Sequence, residues 1–133
     1  MNHVRTFRQI EQHLGLNMSS SLGESPLEAW YERVRDKQLA EFSDEDLAKS
    51  CRQELFLDFV VPFAVERIET DPLAGELYDG ELLEAVALIM RGFWLEHQSL
   101  ANRLCRVITQ TTLTDDKRVL QAIDTLRERI GHY

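Results

Sequence analysis

Apolar residues return every three or four positions along nearly the whole chain, and that spacing admits helices and little else. Residues 4–14 carry Val4, Phe7, Ile10 and Leu14 on one helical face. Leu27, Trp30, Tyr31 and Val34 repeat the pattern, as do Leu100, Leu104, Val107 and Ile108, and again Leu120, Ile123, Leu126 and Ile130. No alternating strand rhythm and no internal repeat interrupts it. The expected fold class is all-α: a single compact domain of six to seven helices with an N-terminal helical arm.

Helix punctuation agrees. In "SPLEAW", Ser25 is an expected N-cap, Pro26 suits the first helical position, and Glu28 completes a capping box. "FSDEDLAKSC" repeats the signal, with Ser43 as cap and Asp46 three residues on. Its acidic first turn favours the positive end of the helix dipole. "ELFLDFVVPFAVERIETDP" predicts a buried central helix with Leu57, Val60, Val61, Phe63, Ala64 and Ile68 inside. Pro62 requires that this helix start just before it or kink there, and Pro72 ends the element. Asp79 is the expected cap of a helix over roughly 80–91, with Leu82, Leu83, Val86, Ile89 and Met90 inside. One further helix is expected from "GFWLEHQSLANRLCRVITQT", and Thr114 is the expected cap of the last. "GLNMSSSLGES" reads as a linker. Residues 1–24 are therefore read as an arm and residues 25–133 as the main body.

The chain of 133 residues suffices for one ordinary core. No apolar run has membrane-spanning length, and "MNHVRTFRQIEQHLG" lacks an apolar leader core, so neither a membrane partner nor a secretory signal is expected. Cys51 and Cys105 lie far apart outside any CxxC pair, as free thiols of a cytoplasmic protein would. Charge is more informative. Residues 41–84 hold 13 Asp or Glu against 3 Lys or Arg, a net −10, whereas the rest holds 10 acidic and 12 basic residues. A field of one sign repels nucleic acid and anionic membrane and steers basic proteins inward. Direct nucleic-acid binding is not expected, because phosphate contacts need clustered Lys and Arg.

Catalytic and metal chemistry find no footing. The residues three before His13, His97 and His132 are Ile10, Trp94 and Arg129, so no Glu-x-x-His pair exists for a di-iron bundle. Zinc signatures are missing. If Asp71 opened a calcium loop, its third, fifth and twelfth positions would be Leu73, Gly75 and Leu82, which offer no side-chain oxygen. There is no GxSxG elbow and no phosphate-binding glycine loop. Glu96 and His97 adjoin, but a helix-surface histidine accounts for them. Trp30 and Trp94 read as core anchors. Lys117, Arg118, Arg127 and Arg129 read as solvated face residues. No catalytic residue, metal or cofactor is expected. What remains is "DPLAGELYDGELL", with Asp71, Glu76, Asp79 and Glu81 in thirteen positions and no base among them. Caps and turns account for about half of the acidic excess, and a basic protein partner for the rest.

Several motifs, in order, carry a family resemblance: the W-x-x-R-V-R opening at Trp30, the L-x-x-F-S-D-E-D-L turn, the V-V-P-F-A-V-E-R segment, the D-P-L-A-G-E-L-Y-D-G-E-L-L loop, and F-W with a following His. Over roughly residues 26–108 the chain resembles the small helical immunity proteins of bacterial contact-dependent growth inhibition systems. Glu54 and Leu55 stand where that pattern has an Ile-Gly pair. The resemblance implies no active site. It implies one-to-one binding of the toxic C-terminal domain of a surface-delivered effector, often a nuclease, in the cytoplasm. The expected partner-binding residues are Asp44, Glu45, Glu69, Asp71, Glu76, Tyr78, Asp79, Glu81 and Glu84. Tyr78 is included as the one aromatic in the acidic loop. The alternative is an acidic helical adaptor for a basic cellular protein.

Overall fold

The structure, a computed structural model, describes residues 5–16, 25–110 and 116–130. The described residues form eight α-helices and one 3-10 turn, with no strand, one helix more than the upper expectation. They group into two units, Met1–Phe42 and Ser43–Tyr133.

In the first unit, α1 (Phe7–Leu14) and α2 (Pro26–Val34) are followed by a 3-10 turn, Leu39–Glu41. Thr6 and Gln9 form a reciprocal capping box at the start of α1, and Gly15 ends it at φ 70°. Ser25 caps α2 by accepting from the Glu28 N–H, with Pro26 just inside. Phe7 organises the aromatic core. It stacks on Tyr31 at 5.3 Å and meets Phe42 and Trp30 edge-on at 5.2 and 6.4 Å. Leu14, expected inside, is half exposed. Glu11 is buried instead, on the α1 face that Phe7 and Ile10 share. Its carboxylate accepts from the Tyr31 hydroxyl and from the Arg35 guanidinium, whose Nε lies 2.9 Å away. Burial alone would raise the Glu11 carboxyl. The bonds from Arg35 and Tyr31, and the charges of Arg35 and Arg8, outweigh it and hold the group below its ordinary range.

In the second unit, α3 (Asp44–Arg52), α4 (Leu57–Thr70), α5 (Glu81–Ala87), α6 (Arg91–Glu96), α7 (Gln98–Gln110) and α8 (Lys117–Ile130) follow. Ser43 and Asp46 close the expected capping box on α3. The centre is α5, not α4. Every α5 residue except Glu84 is buried, and α5 packs on α3, α4 and α8. Helix α4 buries one face, with Val60, Val61, Ala64, Val65 and Ile68, and leaves Leu57 and Phe63 partly exposed. It runs through Pro62, past its first turn, where the missing N–H leaves the Asp58 carbonyl without its usual helical donor. Two departures from the sequence reading have local causes. The stretch expected as one helix from Gly92 divides at His97, whose Nδ1 pairs with the Phe93 carbonyl at 2.8 Å while its ring stacks on Phe93 at 4.0 Å. Met90, expected inside, is 64% exposed because α5 ends at Ala87. Thr114 lies outside the described residues. Asp116 bonds the Arg118 N–H at 2.9 Å at the start of α8.

Before α4, Glu54 and Phe56 both hold left-handed backbone, at φ 56° and 46°. That conformation costs an L-residue about 1–2 kcal/mol, and glycine escapes it at an entropic cost of about 0.5–1 kcal/mol. Glu54→Gly should therefore keep or raise stability, by up to about 1 kcal/mol, and a thermal melt reads the result. Glu11→Ala should instead leave the buried Arg35 with only Glu32, at 3.6 Å, and the Tyr31 hydroxyl without its acceptor, and cost about 3 kcal/mol, seen as lost amide protection in α1. The Glu11 contribution is full above its ordinary value of 4.5 and is lost as pH falls through its lower folded value. Wild-type α1 protection should thus fall as the pH drops below 4.5 toward the lower folded value, and the variant should lose this dependence.

Candidate functional site

The loop between α4 and α5 is built around one buried carboxylate. Glu81, fully buried, accepts from the Glu76 N–H at 3.0 Å and the Leu77 N–H at 3.3 Å through the same oxygen. Its other oxygen has Arg52 at 3.9 Å and no hydrogen bond. Asp71 opens the loop by accepting from the Leu73 N–H at 3.0 Å, an Asx turn. The Gly80 N–H reaches the Leu73 carbonyl at 2.9 Å, and the Leu82 N–H reaches that of Ala74 at 3.1 Å. Gly75 fits because it has no side chain: a Cβ there would lie 2.2 Å from the Tyr78 carbonyl oxygen. Gly80, at φ 83° and packed against Val119, takes the N-cap position of α5. The expected cap, Asp79, makes no capping bond, because the left-handed glycine already turns the chain into the helix.

Of the nine predicted residues, the structure places Glu81 in the interior. Its carboxylate is committed to the loop backbone, so it offers no surface contact, and that expectation is corrected. Three others are paired within the fold. Asp44 meets Arg67 at 2.6 Å. Glu69 takes both Arg103 nitrogens, at 2.7 and 3.0 Å, and those bonds hold its carboxyl below the ordinary range. Glu84 accepts from Tyr78 and, at 3.0 Å, from Arg118. Burial, then the bond to Glu84, raises the Tyr78 hydroxyl. The Arg118 guanidinium lies 3.9 Å from the centre of the Tyr78 ring. Arg118 and Arg129, read as solvated, thus join helices: Arg129 donates to the Leu88 and Ile89 carbonyls at 3.0 and 3.3 Å.

The remaining candidates face outward. Glu76 and Asp79 are exposed and Glu45 is partly so. Glu76 accepts from the Glu45 N–H at 3.3 Å, which brings the start of α3 to the loop. Neither Asp79 nor the Glu45 side chain has an ion-pair partner among the described residues. The sequence reading missed Leu77, which is 67% exposed in the middle of this acid group. The signal was available: an aliphatic residue between two carboxylates in a polar loop. Both cysteines are buried, and burial pushes the Cys51 thiol up to about 12. No group of three His, Cys, Asp or Glu side chains among the described residues is placed to hold a metal. Among them, too, no helix is long and apolar enough to cross a membrane.

A family model described as CDI immunity proteins matches residues 12–104. The chain belongs to this family. No curated protein matches it. The family match begins within α1, earlier than the motifs at 26–108 that carry the resemblance, and stops inside α7. In this CDI immunity protein the whole acidic loop lies inside the matched span, while α8, which supplies Arg118 to Glu84, lies beyond it. Glu81→Leu should leave the Glu76 and Leu77 amides without an acceptor, at about 2–4 kcal/mol for the two. Hydrogen exchange should show protection lost first at residues 76 and 77, with α7 protected longer.

Proposed function

We propose that this protein neutralises a toxin by binding it. The family match over residues 12–104 is the observation that carries the reading. The partner is the toxic C-terminal domain of a surface-delivered effector, held one-to-one in the bacterial cytoplasm. A nuclease suits the charge best, because a cleft built to hold phosphates is basic. Glu45, Glu76 and Asp79 supply the attracting field, with Tyr78 beside them and Asp71 at the edge. Asp44, Glu69 and Glu84 already neutralise Arg67, Arg103 and Arg118. A toxin lysine would have to displace those partners, so these three shape the surface more than they bind. Inhibition of this kind needs no reaction on the immunity side.

The test is a titration of the purified protein against the toxin domain encoded beside it, with toxin activity and binding kinetics followed at two salt concentrations. Wild type should bind and inhibit. The double variant E76K/D79K should associate about tenfold more slowly at low salt, with the gap narrowing as salt screens the charges. Equal association of variant and wild type at both salts would remove the loop from the interface. No binding by wild type would overturn the immunity reading and leave an adaptor for a basic protein.

A further inference from the structure

Leu77 is the most exposed large apolar side chain among the described residues, at 67%. It is not a loose loop tip. Its amide and that of Glu76 are held by the buried Glu81 carboxylate, and the loop closes on itself through the Gly80–Leu73 and Leu82–Ala74 backbone bonds. Turning Leu77 inward would break that set, so the fold fixes an aliphatic side chain in water. The bonds that shape the loop are made by its backbone, by Asp71 and by Glu81, and Leu77 itself is left 67% exposed.

We propose that Leu77 is the apolar anchor of the toxin contact, seated in a partner pocket rimmed by Lys or Arg. This rests on the immunity reading above and adds the residue that sets how long the complex lasts. Charge identifies the occupant. Leu77 stands between exposed Glu76 and the Tyr78–Asp79 pair, with Glu45 reached through the Glu76 carboxylate. A nucleic acid or an anionic lipid surface would meet like charge there, whereas a basic protein pocket meets its complement. The other exposed apolar residues of the second unit lack this setting. Leu88 and Met90 adjoin the Arg129 guanidinium, which has no ion-pair partner among the described residues and would repel a basic surface, whereas Arg118 over the Tyr78 ring is paired with Glu84. Leu95 and Leu120 lie on helices outside the acid group. Anchors of this sort concentrate binding energy when they enter a desolvated pocket and arrive already ordered.

The experiment measures association and dissociation of the full-length protein with the toxin domain, at low and high salt, for wild type, Leu77→Ala, Leu77→Asp and Leu95→Ala. Leu77→Ala should dissociate about 30-fold faster with association changed by less than about twofold, since truncating an anchor acts on the off-rate. The 30-fold ratio should be the same at both salts, because an apolar contact is not screened. Leu77→Asp should also dissociate faster although it adds negative charge, and Leu95→Ala should match wild type. Melting temperatures equal to wild type would exclude a folding defect. If wild type binds and Leu77→Ala dissociates like it, the anchor is overturned and the immunity reading stands. If Leu77→Asp binds more tightly than wild type, the contact is purely electrostatic and the anchor is again overturned. If wild type does not bind, both fall.

Discussion

A single buried carboxylate, that of Glu81, ties the loop after α4 to the most buried helix of the second unit. Withdrawing a charge from water costs several kcal/mol unless its oxygens are satisfied. One Glu81 oxygen takes two backbone amides, the other has only Arg52 at 3.9 Å, and the residue stands in the first turn of α5, where helix N–H groups favour negative charge. The same residue therefore starts the most buried helix and fixes the loop that precedes it. The rest follows geometrically. Gly75 must be bare because the Tyr78 carbonyl lies where a Cβ would go, and Gly80 must turn left-handed because the chain has to enter α5 over Val119. With α5 so anchored, α3, α4 and α8 can close around its apolar faces.

The charge imbalance of the sequence takes on a different meaning once the chain is folded. The net −10 of residues 41–84 is not a surface charge of that size. Arg103 and Arg118, from outside the segment, come back to Glu69 and Glu84, and Arg67 within it takes Asp44. His97 places Nε2 3.1 Å from Asp58. Part of the acid thus works as interhelical ties, each worth little at an exposed site but directional. What remains outward includes the loop and the first turn of α3, together with the exposed Glu54 and Glu66 of the same segment. A surface of one sign of this kind steers an incoming basic partner.

Features written in short-range pattern were legible, and features that need a distant partner were not. Ser43 with Asp46, and Ser25 with Pro26, are local signals and appear as read. The apolar stripes likewise placed Ile10, Trp30, Val86, Leu104 and Leu126 in the core. Glu81 read as a surface contact because a carboxylate defaults to the surface, and nothing in the pattern singled out Glu11. Glu11 is buried only because Tyr31 and Arg35, 20 and 24 residues away, fold onto it. Glu81 is buried because the loop amides turn inward. The break at His97 depends on a ring stacking and a side-chain-to-carbonyl bond that helical periodicity does not encode. Leu77 was visible as a residue but not as a site, since its meaning lies in the rigidity of the backbone that holds it out.

On the function proposed above, the way the loop is held bears on partner choice. A flexible acidic loop would adapt to many basic surfaces, giving fast but indiscriminate binding. A fixed loop with one aliphatic side chain among carboxylates discriminates mainly by what goes wrong with a poor partner. On the contact proposed above, Leu77 would hold the surfaces apart wherever the partner lacks a matching pocket. On the same proposal, Glu76 or Asp79 would be stripped of water and left unpaired without a cation at the right place, a cost of several kcal/mol per charge in a closed interface. Both penalties grow with the stiffness of the loop, because a stiff loop cannot retreat from them. On the immunity reading, the buried Glu81 is therefore also a specificity device: it touches no partner, yet it makes mismatched contacts expensive by denying the loop any other shape.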